Sequence, residues 1–270
     1  FSIQSRLLDS VADELCLPHG VVVAFRAGDQ PNNALSLQVL APGEIAATAG
    51  TSRVVYGVID KPAYDAQCRV NTFVHVTHAP AAPRYGVLLC INGTGSLNRW
   101  LKHGMAADLS YDAMNARAAE APVGAQGLVV LPFGNGAERV LENRDIGASM
   151  HGINFNVHSR AHVLRAAQEG IVFSLMHGIE VMREMGMEVS AVRAGSANMF
   201  LSPLFREAFA TTTGVRLELF NTDGSQGAAR GAGIGAGIYD SAAEAFAGLK
   251  SVETIEPNAA LSAPYRDAYE

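Results

Sequence analysis

The sequence predicts an α/β fold: a mixed β-sheet flanked by helices. Apolar segments of strand length dominate the first third of the chain, and helical patterns alternate with strands after about residue 96. No linker rich in Pro, Ser or charge divides the 270 residues. This order favours an antiparallel meander for the first three strands, with parallel strands added afterwards. With 49% hydrophobic residues, the chain is long enough to build one large core.

The first third is predicted to consist mostly of strands. Leucines and a valine at near-helical spacing predict a helix over 6–17, before Pro18. The continuous apolar run Val21–Phe25 is typical of a buried strand. Pro31–Leu40 is predicted to be a short helix, because Pro is favoured in a first helical turn. Further strands are predicted at Glu44–Ala49, Val54–Ile59, Phe73–Thr77 and Tyr85–Ile91.

The rest of the chain is predicted to alternate between helices and strands. The strongest helical pattern covers 160–186, with Ser159 as a natural N-cap. Residues from 250 onward are expected to pack back through Leu261, Tyr265 and Tyr269. The other helices are predicted at Ser96–His103, Asp112–Ala121, 199–212 and 226–248, and the other strands at Leu128–Pro132, Val189–Arg193 and Val215–Phe220.

Charge and cysteine usage exclude several functional classes. A net charge of −6 without a basic run is a poor match to a phosphate backbone, so we expect no nucleic-acid partner. The longest apolar runs are strand-sized, so we expect no membrane span. Cys16, Cys68 and Cys90 are odd in number and far apart, which is typical of reduced thiols rather than disulfides or a zinc site. We therefore expect a cytoplasmic protein.

A polar string follows the run Val21–Phe25. Asp29 lies there at the predicted end of a strand and the start of a helix, where open α/β sheets bind ligands. Gln30 and two asparagines follow it, and such side chains suit a polyhydroxy ligand. The alternative is that Asp29 caps the helix and Gly28 supplies a turn.

Three small turns are candidates for anion binding. The turn Gly50-Thr51-Ser52 joins two strands and offers backbone N–H groups and hydroxyls, although an ordinary hairpin is the alternative. Asn92–Ser96 and Ala194–Asn198 each lead from a strand toward a helix, where N–H groups and the helix dipole favour anions. We expect the N–H groups of Gly195 and Ser196 to face the ligand. The alternative is that these turns only join a strand to a helix.

Other patterns carry no site. Gly231–Ala236 fits a GxGxxA pattern, but it lies in a helix-like run without a preceding strand, so close helix packing explains it better than dinucleotide binding. The sequence has no P-loop, no GxSxG and no HExxH. His75 and His78 have no carboxylate at ligand spacing and are interpreted as ordinary histidines.

An ordered set of short motifs resembles the C-terminal half of the FGGY family of carbohydrate kinases, and within it the xylulokinases. The resemblance covers about residues 18–245. Its motifs are GDQPNNAL (28–35), EIAATAGTS (44–52), NGTGSLNRWL (92–101), LPFGNGAER (131–139), AVRAGSANMFLSPLFREAF (191–209) and SQGAARGAGIGAGIY (225–239).

The resemblance implies an actin-like, ribonuclease-H-like ATPase fold. It implies that residues 1–270 are the C-terminal, nucleotide-binding domain, and that the N-terminal, sugar-binding domain is absent from this chain. We therefore expect the chain alone to be inactive, and a homodimer is compatible with the family. Its partners are expected to be ATP and a small sugar.

The implied activity is ATP-dependent phosphorylation of a pentulose, D-xylulose to D-xylulose 5-phosphate. Asp29 matches the family's general base, and Gln30 would bind the same sugar. The cofactor Mg²⁺ would be held mainly by the ATP phosphates and the absent domain. The residues expected at ATP are Gly50, Thr51 and Ser52 at the β- and γ-phosphates, Gly95 at the phosphate tail, and Gly195, Ser196 and Asn198 at the adenosine.

Two alternatives stay open at this stage. One is a kinase for another substrate of the family, such as glycerol or ribulose, because most sugar contacts lie in the absent half. The other is a non-catalytic actin-like nucleotide-binding module, which the pair Asp29 and Gln30 disfavours. The chain also departs from the family at Ala194, where a glycine is usual, and either Gly93 or Gly95 is the glycine at the phosphate.

Overall fold

The computed structural model describes residues 1–50 and 53–270. The strands of this part are β1 (Ser5–Arg6), β2 (Val22–Val23), β3 (Glu44–Ala49), β4 (Arg53–Ile59), β5 (Asn71–Val74), β6 (Tyr85–Ile91), β7 (Val129–Leu131), β8 (Ser149–His151), β9 (Ala191–Gly195), β10 (Leu217–Phe220) and β11 (Ser251–Ile255). The α-helices are α1 (Asp9–Glu14), α2 (Asp29–Ser36), α3 (Thr94–Gly104), α4 (Tyr111–Ala119), α5 (Arg160–Glu184), α6 (Pro203–Thr213), α7 (Gly224–Gly235), α8 (Ala242–Ala245) and α9 (Ser262–Tyr269). Short 3₁₀-helices cover Val123–Gly127, Arg139–Leu141, Asn198–Leu201 and Ala259–Leu261.

A mixed sheet of seven strands forms the centre of the described residues, in the order β11-β10-β9-β3-β4-β6-β5. Strands β3, β4, β6 and β5 pair antiparallel, while β9 pairs parallel with β3 and β10 pairs parallel with β9. The prediction of an antiparallel meander with parallel additions is therefore confirmed. The parallel arrangement brings the carboxyl ends of β3, β9 and β10 to one edge of the sheet.

The first strand of the meander is β3, not the run Val21–Phe25 as predicted. Only Val22 and Val23 of that run are in a strand, and they pair with β1 in a separate two-stranded sheet. The run lies over α7, where the Phe25 ring would be only 2.7 Å from a Cβ built on Gly231. Five consecutive apolar residues fit a buried strand and a segment packed on a helix equally well, so periodicity alone could not separate them.

Three other predictions differ from the structure in extent or in pairing. The helix over 6–17 covers only α1, and its leucines, such as Leu8 and Leu15, are exposed. The helix over 226–248 ends with α7, because the chain turns at Gly237 with a φ of +72°. The segment Leu128–Pro132 is a strand, as predicted, but pairs with β8 in a separate hairpin.

The long helix α5 lies across the sheet and completes the core. Its predicted N-cap is confirmed, since the Ser159 side chain and His162 form a capping box. Residues of α5 such as Ile171 and Ile179 are fully buried against the strands, in one cluster with α6 and α9. The C-terminal residues return to this core as predicted, with Tyr265 fully buried. β11 adds an edge strand that the sequence did not predict.

Helix α2, which begins with Asp29, packs closely against α7. A Cβ at Gly227 would lie 2.0 Å from the carbonyl oxygen of Asn32, and one at Gly235 would lie 2.0 Å from that of Ala24. Such distances are far below van der Waals contact, so glycine is required where these backbones meet. The interpretation of the glycine-rich segment as a helix-packing surface is confirmed.

Within residues 1–50 and 53–270, no helix combines the length and apolar character needed to cross a membrane.

Candidate functional site

A cleft opens at the sheet edge where β3, β9 and β10 end. Its first part has a volume of about 320 Å³ and lies between α2, the turn after β9 and the start of α7. Its second part, about 690 Å³, lies between the same turn and helices α3 and α4. Ala49, Gly50 and Asn198 line both parts, so the two parts form one continuous cleft. Ligands of open α/β sheets bind at this edge.

The structure brings most of the predicted site residues together at this cleft. Gln30 and Gly195 line its first part, Gly95 lines its second part, and Gly50 and Asn198 line both. Asp29 and Ser196 are exposed and each is next in sequence to a lining residue. Thr51 and Ser52 lie outside the described residues.

The carboxylate of Asp29 is oriented by its neighbour. Its Oδ1 accepts a hydrogen bond from the Gln30 backbone N–H at 2.8 Å, and its Oδ2 accepts one from the Gln30 side-chain amide at 3.1 Å. Asp29 is the first residue of α2 and the N-cap is Gly28, so the Asp29 side chain does not cap the helix. The carboxylate is therefore exposed to solvent beside Gln30, which lines the cleft, and the two bonds from Gln30 orient it.

The turn after β9 differs from the expected helix N-terminus. The Ser196 N–H donates to the carbonyl of Phe220 at 2.8 Å and so extends the pairing of β9 with β10. The expectation that this N–H faces the ligand is therefore wrong. The turn leads into the 3₁₀-helix Asn198–Leu201, and Asn198 has a φ of +55°. A Cβ at Gly195 would lie 3.3 Å from the carbonyl oxygen of Thr222, so the turn lies close to the segment that joins β10 to α7.

Arg193 and Ala194 precede the turn, and the resemblance predicts a glycine at position 194. Ala194 is fully buried. The Arg193 guanidinium forms ion pairs with Glu44 at 3.2 Å and Glu218 at 3.1 Å, and donates to the carbonyl of Gln38 just after α2. Arg193 thereby connects β3, β9, β10 and the C-terminal end of α2 beneath the cleft.

The start of α7 forms another wall of the cleft and was not predicted as part of the site. Thr222 and Asp223 line the first part. Asp223 is the N-cap of α7, and its Oδ1 accepts from the Ser225 hydroxyl at 2.6 Å and from the Gln226 N–H at 3.0 Å. The Ser225 hydroxyl is the larger influence, and both lower the pKa of Asp223. The combination TDGSQ, an Asp followed three residues later by Gln, is an N-cap signal that could have placed this helix start.

At the start of α3, a carboxylate of the protein already occupies an anion position. Glu138 is fully buried, and its Oε1 accepts from the Asn92 N–H at 2.9 Å and the Gly93 N–H at 3.1 Å. Burial raises the pKa of Glu138, and the two N–H groups offset part of this effect. A Cβ at Gly93 would lie 1.6 Å from the Pro132 carbonyl oxygen. Gly93 thus lies against the Pro132 backbone and lines a neighbouring cavity of about 490 Å³, whereas Gly95 lines the cleft.

We expect Glu138→Ala to lower the free energy of unfolding by about 1–3 kcal/mol, because it leaves the buried N–H groups of Asn92 and Gly93 without acceptors. Glu138→Gln keeps an oxygen at the Oε1 position and should lose clearly less. Urea denaturation of both variants measures the difference. Equal midpoints for the two variants would contradict a role for this oxygen as the acceptor for the turn.

Comparison with known proteins identifies the family. The C-terminal domain of the FGGY family of carbohydrate kinases matches residues 45–238, which is more than half of the chain. The chain belongs to the FGGY family. The match begins in β3 and ends just after α7, so it includes all three parallel strands and the turns that line the cleft.

The chain is also similar to individual sugar kinases in sequence and in structure. A xylulose kinase of Haemophilus influenzae is 27% identical over 93% of this chain and 50% of its own length. An L-xylulose/3-keto-L-gulonate kinase of Escherichia coli is 32% identical over 60% of this chain and 32% of its own length. The crystal structure of xylulose kinase from Rhodospirillum rubrum superimposes with a TM-score of 0.85 at 24% identity, covering 99% of this chain and 54% of that one.

These comparisons confirm the predicted family and the actin-like, ribonuclease-H-like fold. The chain spans about half the length of the xylulose kinases that it matches.

Proposed function

We propose that this chain is the nucleotide-binding, C-terminal domain of an ATP-dependent sugar kinase that phosphorylates a pentulose, D-xylulose to D-xylulose 5-phosphate. The main support is Asp29, an exposed carboxylate oriented by Gln30 of the cleft lining, in a chain of the FGGY family. The xylulose kinase relatives support the choice of sugar.

ATP is proposed to occupy the cleft at the ends of the parallel strands. The phosphates would lie at the turn that begins with Gly50 and includes Thr51 and Ser52, with Gly95 at the phosphate tail. The adenosine would lie against Gly195, Ser196 and Asn198. The volume supports this placement, because the two parts of the cleft, about 320 Å³ and 690 Å³, together suit a ligand of nucleotide size.

Asp29 is proposed to act as the general base. Its carboxylate accepts the proton of the sugar hydroxyl while that oxygen bonds to the γ-phosphorus and the bond to the β,γ-bridging oxygen of ATP breaks. ADP then leaves with the bridging oxygen, and the sugar carries the phosphoryl group. A carboxylate is a weak base, but a loose phosphoryl-transfer transition state needs orientation and late proton acceptance rather than strong basicity. Gln30 holds the carboxylate in direction and is placed to bind the same sugar.

Mg²⁺ is proposed to enter with ATP, where it would neutralise charge on the phosphates. This ion commonly binds through substrate phosphates and one or two carboxylates and keeps several waters. The ATP phosphates and the N-terminal half are proposed to hold it, so no carboxylate of this chain is assigned to the ion. Across residues 1–50 and 53–270, no group of three Asp, Glu, His or Cys side chains could hold the ion without such help.

An ADP-release assay on the full-length protein tests this proposal. The panel contains D-xylulose, L-xylulose, ribulose and glycerol, each with and without ATP and Mg²⁺. We expect the highest kcat/KM for D-xylulose. A higher kcat/KM for ribulose or glycerol would support the kinase activity and contradict D-xylulose as its substrate. ATP binding without ADP release for any sugar would favour a non-catalytic module.

The 270-residue chain alone is expected to fold cooperatively and to bind ATP, but not to phosphorylate a sugar, because its core is self-contained and it offers one side of the active site only. Thermal unfolding with and without ATP, together with a D-xylulose-dependent ADP assay, measures all three properties. Sugar-dependent turnover by this chain would contradict the assignment of a missing sugar-binding half.

A further inference from the structure

Arg53 is a buried cation that has no hydrogen-bond partner among residues 1–50 and 53–270. It is the first residue of β4 and its side chain is 0% exposed. Within the part of the chain that the structure describes, none of its three guanidinium nitrogens has a hydrogen-bond partner. Burying an ionised group without compensation is costly, so proteins rarely keep such an arrangement without a use for it.

Arg53 lies directly beneath the cleft. It pairs with Ala49 of β3, and residues opposite each other in an antiparallel pair have their side chains on one face. Ala49 lines both parts of the cleft. The Arg53 guanidinium lies 4.3 Å from the centre of the Phe205 ring, which contacts the ring of Phe200 at 5.4 Å. Met199, the residue before Phe200, lines the second part, so the guanidinium is one layer below the cleft floor.

The charge of Arg53 persists at neutral pH. Burial lowers its pKa to about 9, so the protonated form still predominates at pH 7. Arg165 shows the usual arrangement for comparison. It is also buried, but it bonds Glu169 at 2.7 Å, the Ala121 carbonyl at 2.8 Å and the Tyr265 hydroxyl at 3.0 Å. For Arg53, the described residues provide a cation–π contact with the Phe205 ring but no hydrogen bond or ion pair to the guanidinium.

We infer that Arg53 recognises the phosphate groups of the nucleotide, and that these phosphates provide the negative charge that the guanidinium lacks within the protein. This inference rests on the proposed function, since it assigns Arg53 to the ATP cleft. Gly50 lines both parts of the cleft and is next to Ala49, the partner of Arg53, so a polyphosphate beside Gly50 would lie near the end of β4 that carries the guanidinium. Attraction between opposite charges is strong in a site with few polar groups and little water.

Arg53→Met tests the inference, because methionine fills the buried space without a charge. We expect the ligand-free variant to melt at the same temperature as the wild type or higher. Its affinity for ATP should fall by about 10- to 100-fold, the effect expected for opposite charges about 8 Å apart at an effective dielectric constant of about 20. Adenosine, which has no phosphates, should bind equally to both proteins. Calorimetric titration with ATP, tripolyphosphate and adenosine separates phosphate binding from nucleoside binding.

Two further variants serve as controls. Arg53→Lys keeps the positive charge and should bind ATP with an affinity between those of the wild type and Arg53→Met. Arg165→Met removes a buried arginine whose partners remain. It should lower the melting temperature, because Glu169 is left buried without its cation, while the folded protein keeps its affinity for ATP.

The results distinguish failure of the inference from failure of the proposed function. If the wild type binds ATP and Arg53→Met binds it equally well, Arg53 is not a phosphate-recognition residue, whereas the nucleotide site stands. If the wild type binds neither ATP nor tripolyphosphate, the inference about Arg53 and the proposed nucleotide site are both wrong. If Arg53→Met does not fold, Arg53→Gln replaces it as the uncharged variant, and a folded Arg53→Gln that binds ATP like the wild type overturns the inference.

Discussion

In the full-length protein, Asp29→Asn is expected to lower turnover by about 10²–10⁴-fold, the usual contribution of a general base. Asparagine keeps the size of the side chain and an oxygen for the bond from the Gln30 N–H, but it cannot accept the proton of the sugar hydroxyl. The affinity for ATP should be nearly unchanged. Steady-state kinetics with D-xylulose and titration with ATP measure the two effects separately.

Asp223→Asn is the matched control. Asp223 lines the first part of the same cleft, and asparagine is about as good an N-cap as aspartate. We therefore expect little change in stability and in turnover. Near-normal turnover of Asp29→Asn would contradict its role as the base. A loss in Asp223→Asn as large as that in Asp29→Asn would indicate a general effect of cleft charge rather than a specific proton acceptor.

Gly227→Ala is expected to lower the free energy of unfolding by about 3 kcal/mol, at the upper end of the usual cost of overpacking. The added methyl group would lie 2.0 Å from the Asn32 carbonyl oxygen and 2.9 Å from the Ser36 N. These are backbone atoms and cannot rotate away, so α2 and α7 must separate. Because Asp29 and Gln30 begin α2, turnover of the full-length protein should fall as well, even below the melting temperature.

Gly104→Ala is the control for this substitution. Gly104 ends α3, and no atom lies within 4 Å of a Cβ built there. Alanine should leave the stability unchanged or raise it by up to about 1 kcal/mol. Urea denaturation of the two variants measures the difference. A stability of Gly227→Ala equal to that of Gly104→Ala would mean that the two helices can separate at no cost.

The connection between packing and site explains why both predicted effects are large. The N-terminus of α2 carries the proposed base, its middle packs on α7, and its C-terminal end is fixed by the bond from Arg193 to the Gln38 carbonyl. A shift of α2 therefore moves Asp29 relative to the strands that carry Gly50 and Gly195. Small displacements of a catalytic group can cost a large part of the rate.

The sequence alone was sufficient for features that depend on local patterns. Alternating and continuous apolar segments predicted β3, β4, β6, β9 and β10, and a long 3.6-residue period with Ser159 before it predicted α5. The ordered motifs predicted the family, and their turns meet at one cleft as expected for the ends of parallel strands. Local preferences and family motifs are encoded by neighbouring residues, so no tertiary contact is needed to find them.

Only the tertiary structure decided how these segments pair and which polar groups are already satisfied. Val21–Phe25 is as apolar as a core strand, yet it packs on α7. The sequence could not show this, because the residues of α7 are about 200 positions away. The Ser196 N–H, expected to face the ligand, is used by Phe220 of the neighbouring strand. Glu138 and Arg53 are both fully buried, which the sequence does not show. Glu138 accepts hydrogen bonds from the turn before α3, whereas Arg53 has no hydrogen-bond partner in the described residues. Hydrogen bonding and burial are set by contacts between distant residues, and these exist only once the chain has folded.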